Sequence, residues 1–260
     1  MRPSEDQSPW WAEESLLLVG HGASADAGAS AAVLEHAGTL RRLGLFTCVE
    51  TGFLKGEPTV EDALKELPEG RIVIVPFLMA GGQFANNVIP ERLGLTGHIT
   101  VQGARELYYG GSVGLNLGMD ALVLRAIHCA DPTGGRALGN TAVLIIAHGS
   151  SMDPTSGAAA HALADRLHEQ NYFREVHAGF LEGPPSLADW LARSIDPPVT
   201  VIGMFAGDGP HAEDDVRRAL NDHERGRLYA YTGAIGAEPG MVALILDEAR
   251  RAGMSLVGKD

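Results

Sequence analysis

The sequence predicts an α/β protein made of two homologous, doubly wound parallel-sheet domains that face each other across a central cleft. The first observation is an internal repeat, because LLLVGHGAS and GFLKGEP recur 127 residues later as LIIAHGSS and GFLEGPP. The second is an alternation of short Val/Ile/Leu runs with helical stretches, which favours parallel strands covered on both faces by helices. A repeat of this length indicates a duplicated domain.

The elements of the second half alternate in a regular order. Four apolar runs predict strands, namely TAVLIIA, FREVHAGF, PVTVIGMF and RLYAY. Three amphipathic segments between them predict helices, namely PTSGAAAHALADRLHEQ, PSLADWLARS and HAEDDVRRAL. Right-handed crossovers would bring such strands side by side in one parallel sheet.

The repeat also predicts the domain boundaries. We expect an N-terminal tail at 1–13, a first domain at 14–130 and a second domain at 141–260. Residues 131–140, DPTGGRALGN, are Gly-rich and polar and are interpreted as the linker. A five-residue length change precedes the last repeated block, because Tyr109 recurs as Tyr231, only 122 positions later.

Composition excludes several function classes. The formal charge of −13 argues against a nucleic-acid partner, because phosphate binding needs clustered Lys and Arg. Apolar runs are far shorter than the ~20 residues that span a bilayer, and the acidic start lacks the features of a signal peptide. We therefore expect a cytoplasmic protein with no membrane partner. The two cysteines, Cys48 and Cys129, lack metal-site spacing and are expected to be buried, reduced thiols.

Three residues of the second half form a set of metal-ligand types: His148, Glu182 and His211. Each follows one of the first three predicted strands, so all three should lie at the carboxyl edge of the sheet, where open α/β sheets bind ligands. Two imidazoles and a carboxylate suit a divalent first-row metal. The first half carries a damaged copy of this set, with His21, Lys55 and Phe84 at the matching positions.

Structural interpretations stand beside some of these assignments. His21 could be only a hydrogen-bonded loop residue, and Lys55 only an exposed lysine. The segment Gly110 to Gly114 matches a hydrolase nucleophile elbow, but Ala234 replaces Ser112 in the second copy and no partner histidine is evident. Neither a GxxxxGK[ST] phosphate loop nor a dinucleotide fingerprint occurs, so ATP and NAD are not expected as cofactors.

Three blocks, HGSSMDP, GFLEGPPSL and GMFAGDGPHAEDDV, resemble the signature blocks of the class II tetrapyrrole chelatases, the CbiX/SirB/CbiK group. The resemblance covers roughly residues 14 to 257. It implies ATP-independent insertion of cobalt or iron into sirohydrochlorin or a related tetrapyrrole, as in siroheme and cobalamin biosynthesis. Nickel is also compatible with such ligands.

The resemblance further implies that His148, Glu182 and His211 are the metal-binding and catalytic residues. The two histidines would accept the pyrrole protons, with Glu182 as ligand or proton relay. The first half departs from the family pattern at Lys55 and Phe84, which argues against two equivalent sites, while His21 and Lys55 could help to bind the tetrapyrrole. One chain could supply both walls of the cleft, so we expect a monomer, with a small oligomer as the alternative. A carrier that binds metal or tetrapyrrole without turnover is the alternative function.

Overall fold

The computed structural model describes residues 13–22, 27–130, 138–150, 154–193, 198–209, 211–223 and 229–254. Within these residues there are two β-sheets, one in each half of the chain. Most of the predicted tail and linker therefore lie outside the described residues, apart from a short 3-10 turn at Leu138–Asn140.

The first half contains five strands and four α-helices within its described residues: β1 (Ser15–Gly20), α1 (Ala27–Leu43), β2 (Cys48–Phe53), α2 (Val60–Glu66), β3 (Gly70–Phe77), α3 (Ile89–Arg92), β4 (Ile99–Gln102), β5 (Arg105–Tyr109) and α4 (Met119–Ala130). The central strand β1 is buried along its whole length. Its unbroken apolar sequence suits a strand with helices on both faces.

The second half repeats this order within its described residues: β6 (Ala142–Gly149), α5 (Ala158–Glu169), β7 (Glu175–Glu182), α6 (Leu187–Leu191), β8 (Val199–Gly203), α7 (Val216–His223), β9 (Tyr229–Ala234) and α8 (Met241–Met254). The first six residues of β6 are buried, whereas its last two reach the solvent. The strand therefore emerges from the core at the edge where the sequence places His148.

The parallel, doubly wound arrangement is confirmed. The sheet orders are β2-β1-β3-β5-β4 and β7-β6-β8-β9, so the chain winds outward in both directions from β1 and from β6. One strand departs from the parallel expectation, because β4 pairs antiparallel with β5 in a hairpin. The five extra residues of the first copy fall in the segment that holds this edge strand.

The two halves also match in local detail. A π-helical turn at Phe84–Val88 recurs at His211–Asp215. The side chains of Thr59 and Ser186 cap the equivalent helices α2 and α6 by accepting a hydrogen bond from a backbone N–H group of the first turn. The duplication is therefore visible in backbone geometry as well as in sequence.

The last helix of each repeat packs against the sheet of the other repeat. Helix α4 contacts β8 and β9, and helix α8 contacts β3 and β5. Polar contacts reinforce this exchange, since Asp120 on α4 pairs with Arg166 at 2.7 Å and Asn116 donates to Glu248 on α8 at 2.7 Å. One hydrophobic cluster spans both halves, so the two repeats share part of their core and are held in a fixed relation.

None of the helices within the described residues is long and apolar enough to cross a membrane.

Both cysteines are free thiols, and the expectation that they are buried was wrong, because Cys48 is only partly buried and Cys129 is exposed. The buried face of α4 is formed by residues such as Met119, Val123 and Ala126, and position 129 falls outside it.

Candidate functional site

His148 and Glu182 lie at the ends of two adjacent strands. His148 is the penultimate residue of β6, Glu182 is the last residue of β7, and Gly149 pairs with Glu182 in the parallel register. Both side chains are exposed at the carboxyl edge of the sheet. The structure therefore places these two predicted site residues at the ends of neighbouring strands, although both belong to the strands rather than to the loops after them.

Gly149 permits the close approach of the two strands. Its φ of +71° lies in the left-handed region, and a Cβ at this position would overlap the carbonyl oxygen of Glu182 and lie 2.7 Å from the Cβ of Phe180. Gly22 has the same role in the first repeat, where its φ is +66° and a Cβ would overlap the carbonyl oxygen of Lys55. A glycine after each histidine thus sets the spacing between the two strand ends.

The third predicted residue, His211, begins the π-helical turn that follows β8. The Met204 N–H group donates to the Ile146 carbonyl at 2.6 Å, which keeps the start of the connecting loop against β6 at the same edge. The side chain of His211 falls outside those that the structure describes. Among the described side chains, no group of three His, Cys, Asp or Glu is arranged to hold a metal, so the three-ligand set stays a prediction.

The first repeat shows the geometry of the equivalent positions. The rings of His21 and Phe84 meet edge to face, with centroids 4.8 Å apart. His21 Nδ1 lies 2.8 Å from the Gly22 carbonyl oxygen, and the Lys55 N–H group donates to the His21 carbonyl at 2.8 Å. The Lys55 side chain is exposed. A phenyl ring and an ammonium group cannot ligate a metal, so this copy keeps the framework of the site without its ligand chemistry.

Both repeats line a cavity of about 550 Å³, within the usual size range of small-molecule sites. The lining comprises a Gly-rich loop, three side-chain amides and several apolar groups: Ala80, Gly81, Gly82, Gln83, Asn86, Asn87, Leu115, Ala158 and Ala159. Sequence reasoning missed the three amides. The signal that could have identified two of them is the alignment of Asn86 and Asn87 with Glu213 and Asp214 in the second copy.

The hydrolase-like motif has a structural explanation. Ser112 is buried, and its Oγ atom has no hydrogen-bond partner within the described part of the chain. The neighbouring Gly111 packs so closely on Glu248 of α8 that a Cβ would lie 2.7 Å from a carboxylate oxygen. Gly110 and Gly111 therefore serve the contact between repeats, whereas Gly114 lies against the Met79 backbone of its own repeat. The serine is not presented to solvent as a nucleophile would be.

Comparison with known proteins agrees with this architecture. A Halobacterium salinarum protein named as a probable sirohydrochlorin cobaltochelatase is 27% identical over 274 residues, covering 92% of each chain. A Deinococcus radiodurans multi-domain protein described as structurally similar to chelatases superposes with a TM-score of 0.81 at 23% identity, over 96% of this chain and 57% of that one. SirB from Bacillus subtilis, solved with Fe³⁺, superposes with a TM-score of 0.78 at 20% identity, over 95% and 98% of the two chains.

The two solved structures show the shared fold, in which this chain corresponds to little more than half of the Deinococcus protein. The sequence model of the CbiX family matches the chain twice, at residues 15–129 and 142–252. The two matches coincide with the two repeats seen in the sequence and in the sheets, and together they cover most of the chain. The chain belongs to the CbiX family.

Proposed function

We propose that this chain inserts cobalt(II) or iron(II) into sirohydrochlorin or a closely related tetrapyrrole, without ATP. The observation that carries this proposal is the parallel pairing of β6 with β7, in which Gly149, the residue after His148, pairs with Glu182 where both strands end. Open α/β sheets bind ligands at the carboxyl ends of their strands, which supports a metal site there. Membership of the CbiX family and the cobaltochelatase name of the Halobacterium relative support the same reaction.

We assign His148, Glu182 and His211 as the residues that bind the incoming metal. The ring contact between His21 and Phe84 supports this assignment, because these residues occupy the positions equivalent to His148 and His211. Three protein ligands leave open coordination positions for the macrocycle nitrogens. Cobalt, iron and nickel all accept such ligands, and metal supply decides among them in many proteins.

The reaction also needs acceptors for two protons. Each divalent ion that enters the macrocycle displaces the two pyrrole N–H protons, so the balanced products are the metallated ring and two protons. His148 and His211 release the metal as its bonds to the ring form, and each imidazole can then accept one proton. Glu182 acts as the third ligand and passes protons to solvent, which its exposed position permits.

The first repeat supplies the opposite wall for the substrate. His21 and Lys55 contribute to tetrapyrrole binding, with the Lys55 ammonium group available to a substrate carboxylate. The predicted boundaries, 14–130 and 141–260 with a linker at 131–140, describe the two repeats as sequence units. The exchange of α4 and α8 fixes both walls within a single chain and supports a monomer as the active form.

The test is an absorbance assay of sirohydrochlorin with cobalt(II) or iron(II). His148→Ala and His211→Ala should each reduce metallation to less than about a tenth of the wild-type rate, while far-UV circular dichroism stays unchanged. His128→Ala, which alters an exposed histidine in the last turn of α4, serves as the matched control and should keep full activity. Tetrapyrrole binding without faster metallation by the wild type would identify a carrier and refute the proposal.

A further inference from the structure

The two copies of the site differ in charge as well as in metal ligands. The second copy carries five carboxylates on its strand end, loop and π-helical turn: Glu182, Asp208, Glu213, Asp214 and Asp215. The first copy carries none at the matching positions, which are Lys55, Gly81, Asn86, Asn87 and Val88. The backbone of the π-helical turn is nevertheless the same in both copies. One face of the duplicated site has therefore lost these negative charges while keeping its shape.

The first copy, which lacks these carboxylates, opens onto the cavity that both repeats line. Among the described residues, its lining contains amides, glycines and apolar side chains and no carboxylate. Asn86 donates from Nδ2 to the Gly81 carbonyl and thereby fixes the glycine loop. Asn87 and Gln83 are exposed beside it, and Leu115 adds an apolar surface that is 48% exposed. The cavity thus combines hydrogen-bond donors with an apolar surface.

This combination addresses an electrostatic problem of the proposed reaction. Sirohydrochlorin carries several carboxylates, and the chain has a formal charge of −13. Acidic residues beside His211 would repel such a substrate, whereas side-chain amides donate hydrogen bonds to carboxylates without adding charge. We propose that this cavity is the subsite for carboxylate substituents of the tetrapyrrole, with Gln83 and Asn87 as donors. The proposal rests on the proposed function, because it takes the tetrapyrrole as substrate.

A charge series at position 87 tests the subsite directly. The dissociation constant of metal-free sirohydrochlorin is measured by fluorescence titration for the wild type, Asn87→Asp and Asn87→Lys. We expect binding about tenfold weaker for Asn87→Asp and tighter than wild type for Asn87→Lys, with both differences shrinking as salt is raised. Saturating substrate should restore the kcat of Asn87→Asp to within about twofold of wild type, because the side chain acts in binding.

Asn140→Asp provides the matched control. This exposed residue precedes β6, at the opposite edge of the sheet from His148, and the substitution adds the same charge. It should leave the dissociation constant within about twofold of wild type, since solvent and salt screen distant charges.

The outcomes separate the subsite from the reaction. Equal dissociation constants across the three residues at position 87, or equal weakening by Asp and Lys, would overturn the subsite, because neither result follows the sign of the charge. If the position-87 variants gave either of these results and the wild type still metallated sirohydrochlorin, the proposed function would stand and only the subsite would be refuted. A wild type that binds without metallation would refute the proposed function, while opposite effects of Asp and Lys would still support the subsite.

Discussion

Gly149 offers a direct test of the idea that the spacing between β6 and β7 builds the metal site. Replacement by alanine places a Cβ against the Glu182 carbonyl oxygen and 2.7 Å from the Phe180 Cβ. The strand end must shift, and His148 moves away from Glu182. Gly22→Ala introduces the same conflict at Lys55 in the repeat that lacks the ligand set, and is therefore a matched comparison.

The magnitude follows from two contributions. A left-handed φ costs a non-glycine residue about 1 to 2 kcal/mol, and relieving an overlap in a packed region costs about 1 to 3 kcal/mol more. Both variants should therefore lose about 2 to 5 kcal/mol of unfolding free energy. Gly44→Ala isolates the first contribution, because Gly44 has a φ of +62° and a Cβ there would meet nothing within 4 Å. Its loss should be about 1 to 2 kcal/mol.

Urea unfolding followed by circular dichroism and by fluorescence gives the stabilities, and calorimetry with cobalt(II) gives metal affinity. Gly149→Ala should weaken cobalt binding by about tenfold or more, while Gly22→Ala should leave it nearly unchanged despite similar destabilisation. Unchanged cobalt affinity in Gly149→Ala would refute the idea that the two strand ends hold the metal. If Gly149→Ala lost no more unfolding free energy than Gly44→Ala, the overlap with the Glu182 carbonyl oxygen would be relieved without cost.

Three further predictions concern the rest of the molecule. Burial raises the pKa of Glu14 to about 7, with Arg71 partly opposing the shift, from an ordinary value of 4.5 in the unfolded chain. The Glu14 carboxyl group loses its proton at a lower pH in the unfolded chain than in the folded one, so the unfolding free energy of the wild type should fall as pH rises from about 4.5 to about 7. The Glu14→Gln variant cannot ionise at this position, so its unfolding free energy should rise relative to that of the wild type by about 3 kcal/mol over the same pH range. A difference between the two urea curves that does not change with pH would contradict this. His21→Ala should raise KM for the tetrapyrrole more than it lowers kcat, and a kcat loss equal to that of His148→Ala would show that His21 is catalytic. Asp120→Asn should cost about 1 to 2 kcal/mol in urea unfolding, because it weakens the partly buried pair with Arg166 that joins the repeats. The exposed pair of Lys65 and Asp62 is the comparison, and Asp62→Asn should have a much smaller effect.

Much of the fold could be predicted from the sequence because its strongest signals are local. An unbroken apolar run such as residues 142–147 has no polar face to present to solvent, so it predicts a central parallel strand covered on both faces. The structure buries all six residues. The repeat was readable because GFLKGEP and GFLEGPP preserve the same turn chemistry. The shared edge of β6 and β7, where His148 and Glu182 lie, could also be predicted, since parallel strands end on the same side. The three-residue set with His211 stays a prediction.

Tertiary structure alone decided the features that depend on residues far apart in the chain. Helices α4 and α8 each pack on the sheet of the other repeat. The apolar face of an amphipathic helix shows that the helix packs on something, but it does not identify the sheet on which it packs. The antiparallel β4 depends on pairing at the edge of a sheet, where a short polar strand has no distinctive pattern. In the sequence, the cavity amides are not distinguishable from the polar residues of an ordinary loop. Their role depends on the fold, in which Asn86 and Asn87 line the same cavity as Ala158 of the other repeat. Local sequence determined the strands, the repeat and the candidate ligands, whereas long-range packing determined which surfaces share the cleft.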